Sequence, residues 1–214
     1  MRTAVLVLGL VFCTAAAAQP SLAAERAQAV KALSDPEPAR RAEGVIWIAE
    51  HGTAADDKLL QPRLRDEHPQ VREFAEQGMW LLWSRSGDKA VDALMEEGAA
   101  AMAVRQFDEA IAIYTQVIRR KPAFAEGWNK RATVYFLAGD FKRSLADCDQ
   151  VMKRKPQHFG ALSGYGQIYF QMKQYDKAIA YWKRALDANP NLEGLNVNIE
   201  LAEKLLAEVR KHSA

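Results

Sequence analysis

Four histidines, His51, His68, His158 and His212, are the side chains best suited to hold a metal or move a proton, and they lie far apart. None stands at i, i+4 from a second histidine or cysteine, whereas a metal site needs clustered donors at fixed spacing. They read as structural or surface residues. Ser163 is followed by Gly164 but has no glycine two positions before it, so it does not sit in a nucleophile elbow. Gly164 and Gly166 fall short of a dinucleotide fingerprint, and no Gly-x-x-x-x-Gly-Lys loop is present. Cys148 falls on the inward side of a helical period, where a thiol is buried and inert. No acid, base and nucleophile are spaced to act together, so the sequence points away from an enzyme and requires no cofactor or metal.

What chemistry remains is cationic. Arg119–Arg120–Lys121 and Lys153–Arg154–Lys155 stand at equivalent places at two helix ends. Positive charge suits a helix C-terminus, by about 0.3–1 kcal/mol each. Stacked in space the two runs form a basic ridge able to meet an acidic partner or anionic lipid head groups. The formal net charge of the 214 residues is only +2, too small to argue for nucleic acid. Residues 21–84 carry 8 Lys/Arg against 11 Asp/Glu and residues 91–190 carry 15 against 11, so the two parts are suited to different partners.

The elements that place these residues are helical repeats. Pro122, Pro156 and Pro190 are evenly spaced, and Phe107, Phe141 and Tyr175 keep the same step. So do Gly98, Ala132 and Gly166, and Ala110, Ser144 and Ala178. Four columns in step over three copies establish an internal repeat, whose period makes each copy one supersecondary unit. In the middle copy Trp128, Arg131, Ala132 and Tyr135 mark one face of a first helix, and Trp128 is expected in the core between the first two copies. Gly139 suits the left-handed turn that ends this helix, and Asp140 suits the cap of the next. Ser144, Cys148 and Val151 line the inward face of a second helix, which Pro156 stops.

These positions resemble the tetratricopeptide repeat family. The middle copy reads Trp128, Arg131, Ala132, Tyr135, Ser144, Cys148, Val151 and Pro156; the last reads Leu162, Tyr165, Gly166, Tyr169, Ala178, Trp182, Ala185 and Pro190. The first copy is weaker in its first helix, with Leu94, Glu97, Gly98 and Ala101, and regular in its second, with Ala110, Tyr114, Val117 and Pro122. Glu97 and Arg131 depart from the Leu-like residue of the pattern. The resemblance implies stacked helical hairpins whose first helices line a concave trough that holds an extended peptide or a partner helix. In that register the trough presents Met95, Ala99, Met102, Asn129, Thr133, Phe136, Ser163, Gln167 and Phe170. One class of the family grips a C-terminal carboxylate with Lys, Asn and Arg at positions that here hold Met95, Ala99, Lys130, Gly160 and Gly164. None fits, so such a clamp is not expected.

The N-terminal part has another period. Leu33, Asp35, Pro38 and Arg41 are matched in the same order and spacing by Leu64, Asp66, Pro69 and Arg72. Each set leads into an apolar helix, and the pattern resembles short HEAT repeats. After the last repeat, Val197, Leu201, Leu205 and Val209 at spacing four predict a helix that caps the stack. Ahead of everything, Arg2, the apolar run from Ala4 to Cys13 and the small residues Ala15 to Ala18 fit a secretory signal cut near Ala18–Gln19. That run is short of the ~20 residues a membrane anchor needs.

The sequence therefore predicts an all-α chain, an α-solenoid of helical hairpins. Its order is signal 1–18, HEAT-like segment 19–84, linker 85–90, tetratricopeptide repeats 91–124, 125–158 and 159–192, and capping helix 193–214. It predicts an exported, periplasmic or secreted interaction module, a scaffold or adaptor for a protein or peptide. The alternative is an accessory subunit or chaperone-like holder for exported envelope proteins.

Overall fold

The computed structural model describes residues 21–213, so the segment read as a signal lies outside the described residues. The N-terminal part forms α1 (Leu22–Ala32), α2 (Pro38–His51), a short α3 (Asp57–Leu60) running into a 3-10 turn (Gln61–Arg65), and α4 (Pro69–Ser84). Ser21 caps α1 by accepting from the Ala24 N–H, and Pro38 and Pro69 open α2 and α4, where their missing donor costs nothing.

The period of the N-terminal part is physical. Asp35 accepts from the N–H of Glu37, and Asp66 from that of His68. Arg41 donates to the carbonyls of Asp35 and Pro36; Arg72 donates to those of Asp66 and Glu67. The copies then interlock, because Arg41 forks onto Asp66 through two bonds of 2.8 Å. Both side chains are buried, and a fork of this kind satisfies both planar groups at once.

Six helices follow as three hairpins: α5 (Lys89–Ala103) with α6 (Phe107–Arg120), α7 (Ala125–Leu137) with α8 (Phe141–Arg154), and α9 (Phe159–Gln171) with α10 (Tyr175–Ala188). The small-residue column is what lets each pair close. A Cβ on Gly98 would fall 2.7 Å from Tyr114, and one on Gly166 would fall 2.3 Å from Trp182. In the middle copy Ser144 Oγ donates to the Ala132 carbonyl at 2.7 Å. Gly139 turns with φ of +80°, and Asp140 caps α8 through the Arg143 N–H. The same turn falls on Arg105 and Lys173, with φ of 62° and 59°, a conformation that strains side-chain-bearing residues.

Two expectations are corrected. Trp128 is half-buried, its indole N–H donating to the Pro122 carbonyl, with the guanidiniums of Arg131 and Arg154 about it at 5.2 and 4.9 Å. It packs against Ala125, Val151 and Ala161 and carries a cation–π bracket on its open side, so it is a partly buried edge residue and not a fully buried one. The second correction concerns α11 (Leu195–Ser213), which packs through Leu195, Ile199 and Ala202, while Val197, Leu201 and Val209 face solvent. Four-residue spacing advances about 40° per step on a 100° helix, so the spacing-four line winds away from the buried stripe.

The N-terminal part does not stand apart from the repeats. One apolar core runs from Leu33, Ile48, Leu64 and Leu82 into Phe159 and Leu162 of α9, Trp182 of α10 and Ile199 of α11. Asn191, in the turn before α11, donates to the Leu64 carbonyl at 2.7 Å and accepts from Arg72 at 3.1 Å. Among the described residues no helix is long and apolar enough to cross a membrane.

Candidate functional site

Helices α7 and α9 flank a common slot, and α4 packs against the N-terminal ends of both while sharing a cleft with α5. Trp80 and Trp83 of α4 make the contact. Trp83 stacks on His158 with ring centroids 4.2 Å apart, and Trp80 meets Phe159 edge-on at 5.1 Å. Gly160 is required there, because a Cβ would fall 2.3 Å from Cη2 of Trp80.

Beneath the two indoles lies a buried polar pair. His158 caps α9 by accepting the Ala161 N–H on Nδ1 at 3.1 Å, which leaves the Nε2 proton directed at Glu126 at 3.2 Å. Burial pushes the Glu126 carboxyl up, but the His158 hydrogen bond, aided by Lys130 and Asn129, outweighs it and holds the carboxyl below its ordinary value. The carboxylate is thus hydrogen-bonded and paired, the condition under which a buried charge is tolerated. His158 thus caps α9 and pairs with Glu126 in the interior. Cys148 is buried, and desolvation followed by the charges of Asp147 and Asp149 pushes its thiol up to about 12, which favours the protonated thiol. Arg131, the departure from the Leu-like position, forks onto Asp147 at 2.7 and 2.8 Å and reaches Thr115 of the preceding repeat at 2.9 Å. It serves as an inter-repeat tie.

Of the predicted trough residues, the structure gathers Asn129, Thr133, Phe136 and Gln167 around a slot of about 130 Å³ between α7 and α9. Thr133 is exposed; Asn129 and Gln167 are half-buried, and Asn129 donates to Glu126 at 3.1 Å. Met95 lines a larger cleft of about 700 Å³ between α4, α5 and α7, shared with Trp80, Leu81, Glu96 and Lys130. Met102 packs into the first repeat's core and Phe170 against Tyr175 and Trp182, so these two are mainly packing residues. Ser163 is half-buried on α9, one turn before Gln167.

The basic runs are largely engaged by the fold. Lys121 reaches the Ser86 carbonyl, and Lys155, its counterpart in the next repeat, reaches Asp57 and the Ala54 carbonyl. Arg120 pairs with Asp88 at 3.2 Å, and Arg154 donates to the Pro122 carbonyl at 2.7 Å. Equivalent lysines thus tie successive repeats to the segments that precede them.

Profiles of the tetratricopeptide repeat match residues 95–157 and 135–195. Over residues 95–195 the chain belongs to the tetratricopeptide repeat family. A TPR repeat-containing protein of Rhizobium etli is 29% identical over 121 residues, 54% of this chain and 59% of that protein. Hsp70-Hsp90 organizing protein 1 of Glycine max is 30% identical over 120 residues, 54% of this chain and 21% of that protein. The chain thus spans less than two thirds of the length of these relatives. Among solved structures, the Sgt2 TPR domain of Aspergillus fumigatus superposes with a TM-score of 0.56 at 25% identity, over 59% of this chain and 85% of that one. The first TPR of Spaghetti (RPAP3), bound to the HSP90 peptide SRMEEVD, superposes with a TM-score of 0.53 at 24% identity, over 55% of this chain and 93% of that one. Each shares the helical-hairpin fold with the tetratricopeptide part of this chain.

The junction of Trp80, Trp83, Glu126 and His158 has no signal in the sequence. Glu126 and His158 do not stand one repeat step apart, and Trp80 belongs to a different repeat type. Among the described residues no group of three or more His, Cys, Asp or Glu is arranged to hold a metal ion.

Proposed function

We propose that this protein is an exported interaction module that holds a peptide or helix of a partner protein on the face lined by α5, α7 and α9, as a scaffold or adaptor in an envelope assembly. Gly164 carries the reading. Glycine inside a helix costs about 0.5–1 kcal/mol relative to alanine, so it needs a reason. Gly98, Gly127, Gly160 and Gly166 each have one, a neighbour within 2.7 Å of the missing Cβ. Around Gly164 a Cβ would meet nothing within 4 Å, yet it borders the slot ringed by Asn129, Thr133 and Gln167. A bare backbone beside amide and hydroxyl groups suits the close approach of a second chain.

Export rests on the pattern of residues 1–18, and a new N-terminus near Gln19 is expected in the envelope fraction. Recovery of Met1 there, or of the protein in cytosol alone, overturns it. The interaction reading is tested by a photo-crosslinking residue at Thr133 in the native compartment, with Gln28 on α1 as the control position. One partner segment captured from Thr133 and not from Gln28 is expected. Equal capture from both refutes the reading. Likeness to an Hsp70-Hsp90 organizing protein favours a chaperone-like holder as the second reading, and many different chains captured from Thr133 would support it.

A further inference from the structure

Trp80 divides two clefts. One of about 700 Å³ runs between α4, α5 and α7, and one of about 620 Å³ runs from α4 to the turn before α11. Their combined lining holds six carboxylates, Glu73, Glu76, Asp92, Glu96, Glu126 and Glu193, against three cations; buried Glu126 is engaged by Lys130 and His158, which leaves five carboxylates against Arg72 and Arg85. Each cation is already engaged: Arg72 by Asn191, Arg85 by the Gly52 carbonyl at 3.2 Å, and Lys130 by Glu126 at 3.3 Å. This surface is acidic although residues 91–190 carry more Lys/Arg than Asp/Glu, because the basic runs sit at the ends of α6 and α8. The walls are apolar and aromatic: Trp80 is half-buried and Leu81 is 40% exposed beside Met95. At the positions where a carboxylate clamp would carry cations stand Met95, Gly160 and Gly164, and Trp80 covers Gly160.

We infer that the clefts beside Trp80 take a cationic amphipathic segment, with a Lys or Arg over the indole and flanked by Glu73, Glu76 and Glu96, and reject acidic chain ends. The inference rests on the interaction-module reading and names the chemistry of its partner. An indole face attracts a cation through its quadrupole, and nearby carboxylates reinforce that attraction. Apolar residues of the same segment fit against Leu81 and Met95. An acidic end such as the SRMEEVD peptide held by the Spaghetti domain would meet like charge and find no unengaged cation among the described residues that line the clefts.

The test uses the full chain beginning at Gln19 and three fluorescent probes read by anisotropy. One is a helical peptide of Leu and Lys, one has Glu in place of Lys, and one is SRMEEVD. The Lys probe should bind at least about tenfold more tightly than either acidic probe, and raising salt from about 0.05 to about 0.5 M should erode that preference as the screening length shortens. Glu73→Gln, Glu76→Gln and Glu96→Gln together should weaken the Lys probe about tenfold, three partly exposed pairs lost. Glu43→Gln with Glu50→Gln, on the exposed face of α2, should leave it unchanged. Trp80→Leu keeps apolar bulk without the indole and should also weaken the Lys probe; helical circular dichroism of each variant verifies folding. Acidic probes binding as well as the Lys probe, no probe binding, or indifference to the triple change overturns the inference. If Thr133 still captures one partner segment in those cases, the interaction reading stands alone. If the Lys probe behaves as expected while Thr133 captures no more than Gln28, the reading of the α7–α9 slot falls instead.

Discussion

Two neighbouring glycines on α9 give opposite predictions for the same substitution. Alanine at either position gains about 0.5–1 kcal/mol of helix stability, chiefly by restricting the unfolded chain. At Gly164 the new Cβ meets nothing within 4 Å, so Gly164→Ala should keep that gain and raise the melting temperature by about 1–4 °C for a chain of this size. At Gly160 the Cβ would fall 2.3 Å from Cη2 and 3.2 Å from Cζ3 of Trp80, and 3.3 Å from Cε1 of His158. Trp80 cannot swing aside cheaply, because it is packed edge-on to Phe159, Trp83 and His158. Overpacking of this kind costs about 1–3 kcal/mol, so Gly160→Ala should be a net loss of up to about 2.5 kcal/mol. Urea unfolding followed by tryptophan fluorescence measures both. A double-mutant cycle isolates the cause: with Trp80→Ala in place, Gly160→Ala should become stabilising. If Gly160→Ala proves as stable as Gly164→Ala in the original chain, α4 does not lie on α9, and the composite clefts built on that contact fall with it.

Asp66 is held below its ordinary value of 3.8, burial raising it but the bonds from Arg41 and the His68 N–H prevailing, and Glu126 is held below 4.5 by His158 against its own desolvation. A depressed folded-state pKa contributes stability that is present above the unfolded value and lost as pH falls through the folded one. The urea midpoint should therefore hold down to about pH 5 and fall below about pH 4, less steeply in Asp66→Asn; equal slopes would refute the assignment. Lys173→Gly should stabilise by about 0.5–1 kcal/mol, because the left-handed φ of 59° is relieved at the cost of some backbone entropy; an unmoved melting temperature would contradict this. Thr133→Ala with Gln167→Ala should change stability by under ~0.5 kcal/mol while weakening capture of the partner. Asn129→Ala should cost about 1–3 kcal/mol, because it removes a donor from buried Glu126, and a neutral result would place Asn129 free in the trough.

The repeats were legible because each hairpin is specified locally. A helix face needs a small residue where its partner crosses, a turn residue that tolerates left-handed φ and a proline beyond the end. These demands recur with the unit, so Gly98, Ala132 and Gly166 announce themselves by spacing. The N-terminal copies were legible for the same reason: Asp66 and Arg72 bind backbone close to themselves in the chain. Trp128 was misread because periodicity reports which residues share a face and not which face is covered, and the α11 stripe because a strict four-residue spacing drifts around the helix and does not stay on one face.

The sequence by itself determined the helices and their pairing into hairpins, both of which depend on contacts near in the chain. Tertiary structure alone decided how the two repeat types meet. Trp80 and Trp83 of α4 find His158 and Gly160 two whole hairpins further on, and Lys155 finds Asp57 on the far side of the same gap. Those contacts follow no period, since each is made once, between surfaces whose shape exists only after the hairpins have formed. They set one cleft between α4, α5 and α7 and another between α4 and the turn before α11. The physical reason is that burial of the Trp83 indole and a paired carboxylate is a property of a packed interface, and a linear order of residues does not carry that information.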